Sequence, residues 1–482
     1  MKTECSRKSF GFHPVGRRVV VGKFDGGTIT SDGGALLLRE VEQRTGIIEQ
    51  FARCFRDHRD ARQIEHTVED LVGQRVYGLA LGYEDLNDHD ELRRDPLLAA
   101  LVGKADPEGN GRARRRDRGK ALAGKSTLNR LELTKAVVSA KERYKKIVVD
   151  AAAVDRFLVE AFLARHPAAP AAAGQPAGRP ARPARIILDL DVTDDPVHGR
   201  QEGRFFHGYY GGYCYLPLYV FCGEFLLAAK LRPSNIDSSF GALDEVARIV
   251  AQIRAKWPKV RIVLRGDSGF CREPIMAWCE THAVDYLFGL ARNARLEKAI
   301  EGELAQAQSL FEQTRQPARV FAEFAYRTLD SWSRSRRVIA KAEHLEKGAN
   351  PRFVATTLSD DPKHLYEQIY CARGEMENRI KEQQLSLFAD RTSAATMRAN
   401  QIRLWFSSFA YILMQALRRL ALKGTDMAKA QCQTIRLKLL KIGAQVRVTV
   451  RKVWVSLAQG CPCQEIFLRA HENLRRLTVL NC

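Results

Sequence analysis

The sequence predicts a mixed α/β (α+β) fold with a central sheet flanked by helices, and two patterns support this. From Arg185 onward, "RIILDLDV", "FFHGYYGGYCYLPLYVFC" and "EFLLAAKL" are apolar stretches with glycine turns, as expected for antiparallel strands. Helical and extended patterns then alternate, in "SSFGALDEVARIVAQIRAKW", "RIVLRGD", "REPIMAWCETHA" and "DYLFGLA". A series of strands followed by alternating helices and strands is typical of a mixed sheet packed between helices.

The pattern along the chain predicts four regions. Helices are expected before the sheet, beginning at the Ser31/Asp32 start signal and including a stretch from about Ser126 to Ala164. The stretch "HPAAPAAAGQPAGRPARPA" cannot pack a core and predicts a linker. The predicted regions are a mainly helical region at 1–165, a linker at 166–184, a sheet-containing core at 185–390 with a β-rich insertion at about 292–362, and a basic, mainly helical region at 391–482.

The charge of the chain indicates a polyanionic partner. Its 482 residues include 77 Lys and Arg against 56 Asp and Glu, a net charge of +21. An excess of this size usually accompanies nucleic-acid binding, although a basic protein without such a partner is the alternative.

Eleven cysteines without metal-binding spacing predict free thiols and a cytoplasmic location. The apolar run from Leu404 is too short to cross a bilayer, so no membrane association is expected.

Acidic residues follow two predicted strands at their C-terminal ends. Asp189, Asp191 and Thr193 alternate and therefore share one strand face, and Asp267 closes the apolar run "RIVLRGD". Sites in α/β sheets form at this edge, and carboxylates held there favour a hard divalent cation such as Mg²⁺. Considered singly, these acids could equally be turn caps.

A third acid lies on a predicted helix. In "YCARGEMENRIKEQQ", Tyr370, Arg373, Glu377 and Lys381 are spaced to share one helix face. A solvated salt-bridge stripe is one interpretation. The other is an acid that binds metal beside a phosphate held by the arginine fork.

These motifs together resemble a bacterial insertion-sequence transposase of the DDE class, and within that class the insertion sequence thirteen-eighty family. The matching stretches are "FDGGTITSDGGALLL", "STLNRLE", "LDLDVTDDPVHGRQEG", "VLRGDSGFCRE", "YCARGEMENRIKE" and "DRTSAATMRANQIRLWFSSFAYILMQALRR". The resemblance implies a ribonuclease H-like core with the catalytic and metal-binding triad Asp191, Asp267 and Glu377. Asp189 is the rival for the first position and Glu375 for the last.

The resemblance also covers most of a Tyr-Arg-Glu-Lys helix signature. Tyr370, Arg373 and Glu377 match it, whereas the expected lysine position is occupied by Gln384, with Lys381 one turn earlier as a substitute. These helix residues and His198 are therefore expected near DNA phosphates, with a loop-fixing role as the alternative for His198.

The function implied is DNA transposition. Two Mg²⁺ ions, with Mn²⁺ as an alternative, would assist cleavage at the ends of the element, and the released 3′-OH would join target DNA. DNA and a homodimer on DNA are the implied partners, and region 1–165 is the implied DNA-binding region. The competing interpretations are a non-catalytic DNA-binding protein derived from a transposase and a nuclease without strand transfer.

Two other motifs are interpreted as coincidental. "GKALAGKS" matches the P-loop pattern, but "RARRRDR" before it cannot form a buried strand, so no nucleotide cofactor is expected. "GDSG" lacks the histidine and disulfide context of a serine protease, so Ser268 is predicted to be a turn or cap residue.

The best candidates for backbone contacts with DNA are Arg112, Arg114, Arg115 and Arg116, with a solvated loop as the alternative.

Overall fold

The computed structural model describes residues 9–139, 141–166 and 183–477. The predicted linker therefore lies almost wholly outside the described residues. Contacts divide the chain into two compact units. Unit 1 comprises residues 1–150, 386–388 and 409–482, and unit 2 comprises residues 151–385 and 389–408.

The N-terminal part of unit 1 is mainly helical. Its elements are β1 (Phe10–Val15), β2 (Arg18–Gly22), β3 (Ile29–Thr30), α1 (Leu36–Thr45), α2 (Ile47–Ala52), β4 (Phe55–Asp57), α3 (Val68–Ala80), α4 (His89–Leu92), α5 (Pro96–Val102), α6 (Lys125–Glu132) and β5 (Ile147–Val149).

Two helix predictions in this region need correction. The helix expected after Ser31 is divided at Gly46, whose left-handed backbone (φ of 59°) ends α1 before α2 begins. The stretch predicted as helical from Ser126 to Ala164 is interrupted by β5, a buried β-branched run that pairs with β4. All three consecutive residues of β5 are buried. An amphipathic helix would bury only one face, so this pattern favours a strand that protein covers on both faces.

Unit 2 is built on a sheet that begins with β6. Its elements are α7 (Ala151–Arg165), β6 (Arg185–Val192), β7 (Asp195–Pro196), β8 (Phe205–His207), β9 (Gly212–Tyr215), β10 (Leu218–Cys222), β11 (Phe225–Lys230), α8 (Ala242–Lys256), β12 (Arg261–Gly266), α9 (Glu273–Thr281), β13 (Asp285–Leu290), α10 (Ala294–Ala299), α11 (Glu301–Thr314), β14 (Ala318–Tyr326), β15 (Arg336–Leu345), β16 (Gly348–Ala349), β17 (Arg352–Thr356), α12 (Pro362–His364) and α13 (Gly374–Leu387).

The order of strands confirms the predicted fold class. The sheet runs β11-β10-β6-β12-β13-β17-β15-β14, with β16 beside β15. β10 is antiparallel to both β11 and β6, whereas β6, β12 and β13 are mutually parallel. Consecutive antiparallel strands followed by crossovers through α8 and α9 form a mixed ribonuclease H-like sheet with helices against it.

The predicted insertion differs in form from the expectation. It opens with two helices, α10 and α11, and its strands do not make a separate sheet. β17 pairs with β13 and with β15, so the insertion extends the core sheet outward. The alternating pattern predicts the strands but cannot show which edge they join.

The two faces of the sheet are covered by different helices. On one face, Leu188, Leu190, Ile262 and Leu264 pack in a large core that includes residues of α7, α8 and α9. On the other, Val263, Leu287 and Ile339 pack against Leu365 and Tyr366 from the helical segment that leads to α13. Because side chains alternate along a strand, Asp189 and Asp191 lie on this second face.

The C-terminal part is helical with one β-hairpin. Its elements are α14 (Met397–Leu420), α15 (Cys432–Ile435), β18 (Ala444–Val448), β19 (Val453–Leu457) and α16 (Gln464–Arg476). The apolar run from Leu404 lies within α14, as predicted, and no helix in the described ranges is long and apolar enough to cross a membrane. None of the nine cysteines that the structure describes forms a disulfide bond.

Candidate active site

Asp191 and Asp267 lie at the C-terminal ends of neighbouring parallel strands. β6 and β12 pair so that Arg265 is opposite Asp189. Two residues further along each strand, the same register brings Asp267 level with Asp191, on the same face of the sheet. The Asp267 carboxylate accepts a hydrogen bond from the Gly269 amide at 2.9 Å, which orients it in the turn after β12. Ser268 is an exposed residue of that turn.

The two buried aspartates of β6 have different partners. The guanidinium of Arg265 holds Asp189 in a two-pronged ion pair, with Nη2 to Oδ2 at 2.8 Å, and also donates to the carbonyl of Ile369. Both charges are buried. Through Arg265, Asp189 connects β6 and β12 to the helical segment. These contacts favour a structural role for this rival first acid.

Arg373 joins the first and third predicted acids. Its Nη1 donates to Asp191 Oδ2 at 2.9 Å, and its Nη2 donates to Glu377 Oε1 at 2.6 Å. Burial, with a smaller contribution from the charge of Asp267, raises the pKa of Asp191 to about 6 against the opposing effect of Arg373. The rival Glu375 is 71% exposed at its side chain and pairs with Arg379 instead.

The helical segment that carries these residues is irregular. Residues 365–370 form a π-helix and residues 371–373 a 3₁₀ turn before α13 continues the segment. Such changes of helical pitch often mark functional sites. Arg373 and Glu377 share a face, as the sequence predicted, and Lys381 is exposed further along α13.

Tyr370 lies against the loop that carries Asp267. A Cβ atom at Gly289 of β13 would be 2.5 Å from the Tyr370 hydroxyl and 3.0 Å from the Ser268 amide. Only glycine leaves room for this approach. Burial raises the pKa of Tyr370, and the Asp267 charge adds to this. Gly289 is a site residue that the sequence analysis missed, since a glycine within a strand carries no signal of its own.

Gln384, at the position where the resemblance expects lysine, binds a buried acid. Its Nε2 donates to Asp195 Oδ1 and to the Asp194 carbonyl, both at 3.0 Å. Burial raises the pKa of Asp195 to about 8. An amide that donates to this carboxyl is consistent with a neutral Asp195, which a lysine in that place would instead keep charged.

The donor chemistry of the site fits hard divalent cations. Asp191, Asp267 and Glu377 bring three carboxylates to one edge of the sheet, and Arg373 offsets one of their charges, so negative charge remains around the buried Asp191. As they stand, no three His, Cys, Asp or Glu side chains within the described ranges are arranged around a single ion position. The Arg373 guanidinium lies between two of the acids.

Unit 1 contains a basic groove of about 1070 Å³, which is lined by residues between 59 and 146. Its charged lining consists of ten cations against four acids, the cations being Arg59, Arg62, Arg93, Arg112, Arg114, Arg116, Lys120, Arg130, Arg143 and Lys146. Three of the four predicted arginines therefore line it, and Arg115 does not. Arg112 is partly committed, since it donates to the Lys120 carbonyl at 2.7 Å and to Glu65 at 2.9 Å.

The P-loop pattern and His198 have simple structural settings. Residues 115–117 form a 3₁₀ turn rather than a strand, and the first amide of α6 donates to Asp90 at 3.2 Å. His198 is exposed in the loop after β7.

A similar solved structure is the cryo-EM structure of a piggyBac transposase synaptic complex with hairpin DNA. It has 10% sequence identity and a TM-score of 0.40, and the match covers 85% of this chain and 80% of that chain. No curated protein matches the sequence. The family model described as "Transposase DDE domain group 1" matches residues 12–479. The chain therefore belongs to the group 1 DDE transposase family.

Proposed function

We propose that this protein is an active DNA transposase of the insertion sequence thirteen-eighty type, which cleaves the ends of its element and joins their 3′-OH groups to target DNA. The observation that supports this most directly is the convergence of Asp191, Asp267 and Glu377 on one face and edge of the sheet. Arg373 bonds two of them, and the third adds to the pKa shift of the first.

In this proposal the three carboxylates hold Mg²⁺, with Mn²⁺ as an alternative. Bound there, divalent cations would supply Lewis-acid stabilisation of the attacking and leaving oxygens of the phosphodiester. Asp191 and Asp267 are fixed by strands and Glu377 by a helix, so the protein orients the donors before DNA arrives.

Arg373 is the proposed phosphate partner of the site. Its two terminal nitrogens, which donate to Asp191 and Glu377, are the atoms that would form a fork with a phosphate. Cations on the carboxylates would compete for the oxygens that Arg373 binds. We therefore propose that the guanidinium turns from the acids to the scissile phosphate when DNA and cations are bound. Tyr370, His198 and Lys381 are proposed DNA contacts beside it.

The basic groove of unit 1 is the proposed binding surface for duplex DNA. An excess of cations in a concave surface attracts the phosphate backbone and displaces its counterions. Arg114 and Arg116 are the preferred backbone contacts because both are exposed, whereas Arg112 also supports the loop from within. A homodimer that holds two element ends is proposed by analogy with the family's reaction.

The decisive experiment is a cleavage and joining assay with Mg²⁺ and DNA that carries the sequences flanking the gene. Wild type is compared with Asp267→Asn and with Glu375→Gln as a matched control, since Glu375 is an exposed acid of the same helix. Nicked and joined products from wild type and the control, but not from Asp267→Asn, are expected. Nicks without joined products would favour a nuclease, and binding without cleavage would favour a non-catalytic DNA-binding protein.

A further inference from the structure

The most exposed aromatic cluster of unit 2 lies on one short hairpin. We call residues 204–213, which include β8 and the start of β9, the aromatic hairpin. Tyr209 is 86% exposed, Phe206 59% and Tyr213 49%. Exposed aromatic side chains on a turn contribute nothing to the core, and a contiguous group of them usually marks an interaction surface.

The rings of the aromatic hairpin form two edge-to-face pairs. Phe206 and Tyr213 meet edge to face at 5.7 Å between centroids, and Tyr209 and Tyr210 at 5.0 Å. The guanidinium of Arg204 lies 4.5 Å from the Tyr213 ring centroid. Around these rings the chain is open, because a Cβ atom at Gly208, Gly211 or Gly212 would meet nothing within 4 Å. Flat molecules can therefore approach the ring faces without displacing backbone.

The hairpin is anchored to the strand that carries Asp191. β9 pairs with β7, which begins four residues after Asp191, and the Thr193 amide bonds to the Pro217 carbonyl. Tyr210 lies within electrostatic range of the acids, since burial first and then the charges of Asp194 and Asp191 raise its pKa. The aromatic hairpin thus stands beside the predicted cleavage site, within the same unit.

The charges around the rings favour a nucleic-acid occupant. Arg204 lies over the Tyr213 ring, and Arg200 is an exposed cation earlier in the same loop, so both suit phosphates. The nearby acid Glu202 is partly committed, because its Oε2 accepts from the Met397 amide at 3.1 Å. Base stacking on aromatic side chains is tolerant of sequence, because every base has a π-face. An apolar protein partner would gain little from the two arginines.

We propose that the aromatic hairpin binds unpaired nucleotides of the DNA beside the cleavage site by stacking their bases on Tyr209 and its neighbours. This rests on the proposed function only for the identity of the DNA. Stacked bases would hold the end of the element open and would steady the strand while the phosphate is attacked.

The first test measures binding of the full-length protein to a short single-stranded oligonucleotide that contains 2-aminopurine. Wild type is expected to bind and to change the 2-aminopurine fluorescence. Tyr209→Ala should weaken binding about fivefold to a hundredfold, the range for removing a stacking ring, and should lose most of the fluorescence change. Tyr209→Phe keeps the ring and should behave as wild type. Phe24→Ala, at an aromatic residue of unit 1 that is 84% exposed, is the matched control.

Several results would overturn the proposal. These are no binding by wild type, equal binding by Tyr209→Ala, or an equal loss in Tyr209→Phe, which would assign the effect to the hydroxyl. Sedimentation of wild type and Tyr209→Ala distinguishes a further case: if the variant alone lost a dimer, the surface would be an interface between two copies.

A second test separates this proposal from the function itself. On paired element ends, Tyr209→Ala should cleave more slowly than wild type, and mismatches at the cleavage position should restore its rate. An equal defect on both substrates would overturn the stacking role. Wild type that binds and stacks the single strand but cleaves nothing would contradict the proposed function and leave the stacking intact.

Discussion

The acid site of unit 2 and the basic groove of unit 1 are built in opposite ways. At the acid site the carboxylates are held by strand ends and one helix, Asp191 is buried, and Arg373 bonds both Asp191 and Glu377. The groove gathers ten cations, four of them exposed and many on segments without regular structure. Chemistry at one atom needs fixed groups, whereas attraction of a charged polymer needs only their sum. A single substitution should therefore have a large effect at the acid site and a small effect in the groove, where many residues share the binding of DNA.

The largest effect is expected for the third acid. Glu377→Gln should lower cleavage at least about a thousandfold, equivalent to about 4 kcal/mol. A neutral amide is a poor ligand for the cations, and it removes one of the two carboxylates that pair with Arg373. Cleavage rates at saturating DNA would measure it.

Glu375→Gln provides the contrast two residues away, and it should retain nearly full activity. Equal losses in the two variants would contradict the assignment of Glu377.

The next effect is on stability and concerns the ion pair of Asp189 and Arg265. Arg265→Met leaves a carboxylate buried without its partner, and we expect the free energy of unfolding to fall by about 3–5 kcal/mol. Denaturant titration would measure this.

Arg261→Met on the same strand is the control, since its pair with Asp285 is more than half exposed on the arginine side. A loss below about 1 kcal/mol is expected there. Similar losses at both positions would show that the buried ion pair contributes no more to the free energy of unfolding than the exposed one.

A smaller effect, graded with pH, is expected at Asp195. Its folded-state pKa of about 8 lies above the unfolded value, so the folded protein holds a proton that the unfolded chain releases. Stability from this group is greatest below the unfolded pKa and declines as pH rises toward 8, by up to about 1.4 kcal/mol per pH unit.

Asp195→Asn should flatten this slope in unfolding measurements between pH 5 and pH 8. An unchanged slope would mean that Asp195 is ionised in the folded protein.

The smallest effect of a single residue is expected in the groove. Arg114→Ala should weaken DNA binding only a few-fold and reduce the slope of log affinity against log salt by about 0.9. Cleavage at saturating DNA should be unchanged. Lys298→Ala, an exposed cation of unit 2, is the control. If Arg114→Ala lost as much cleavage as Glu377→Gln, the groove would not differ from the acid site in how much one residue contributes.

Local patterns predicted the acid site better than the groove. An apolar run that ends in an acid predicts a strand end, and β6 and β12 do lie side by side with Asp191 and Asp267 at that edge. Helical spacing likewise predicted that Arg373 and Glu377 share a face. The pairing of Asp189 with Arg265 depends on the register of strands 76 residues apart, which no local pattern encodes.

The groove could be predicted only as a charge balance. Net charge indicates a polyanion partner, but Arg59, Arg93 and Arg130 meet at one surface only after the helices of unit 1 have packed. The run from Arg112 suggested part of this surface. Its neighbours came from segments where isolated arginines give no signal.

The outermost strand of the extended sheet has a practical consequence for handling the protein. In the part of the chain that the structure describes, β14 pairs on one side only. Two of its exposed residues, Arg319 and Glu323, make ion pairs with β15 partners. Charged side chains on a free edge discourage pairing with another molecule's strand. A purified sample in which both were replaced by apolar residues would be expected to aggregate, although the acids of the sheet lie several strands away and would be untouched.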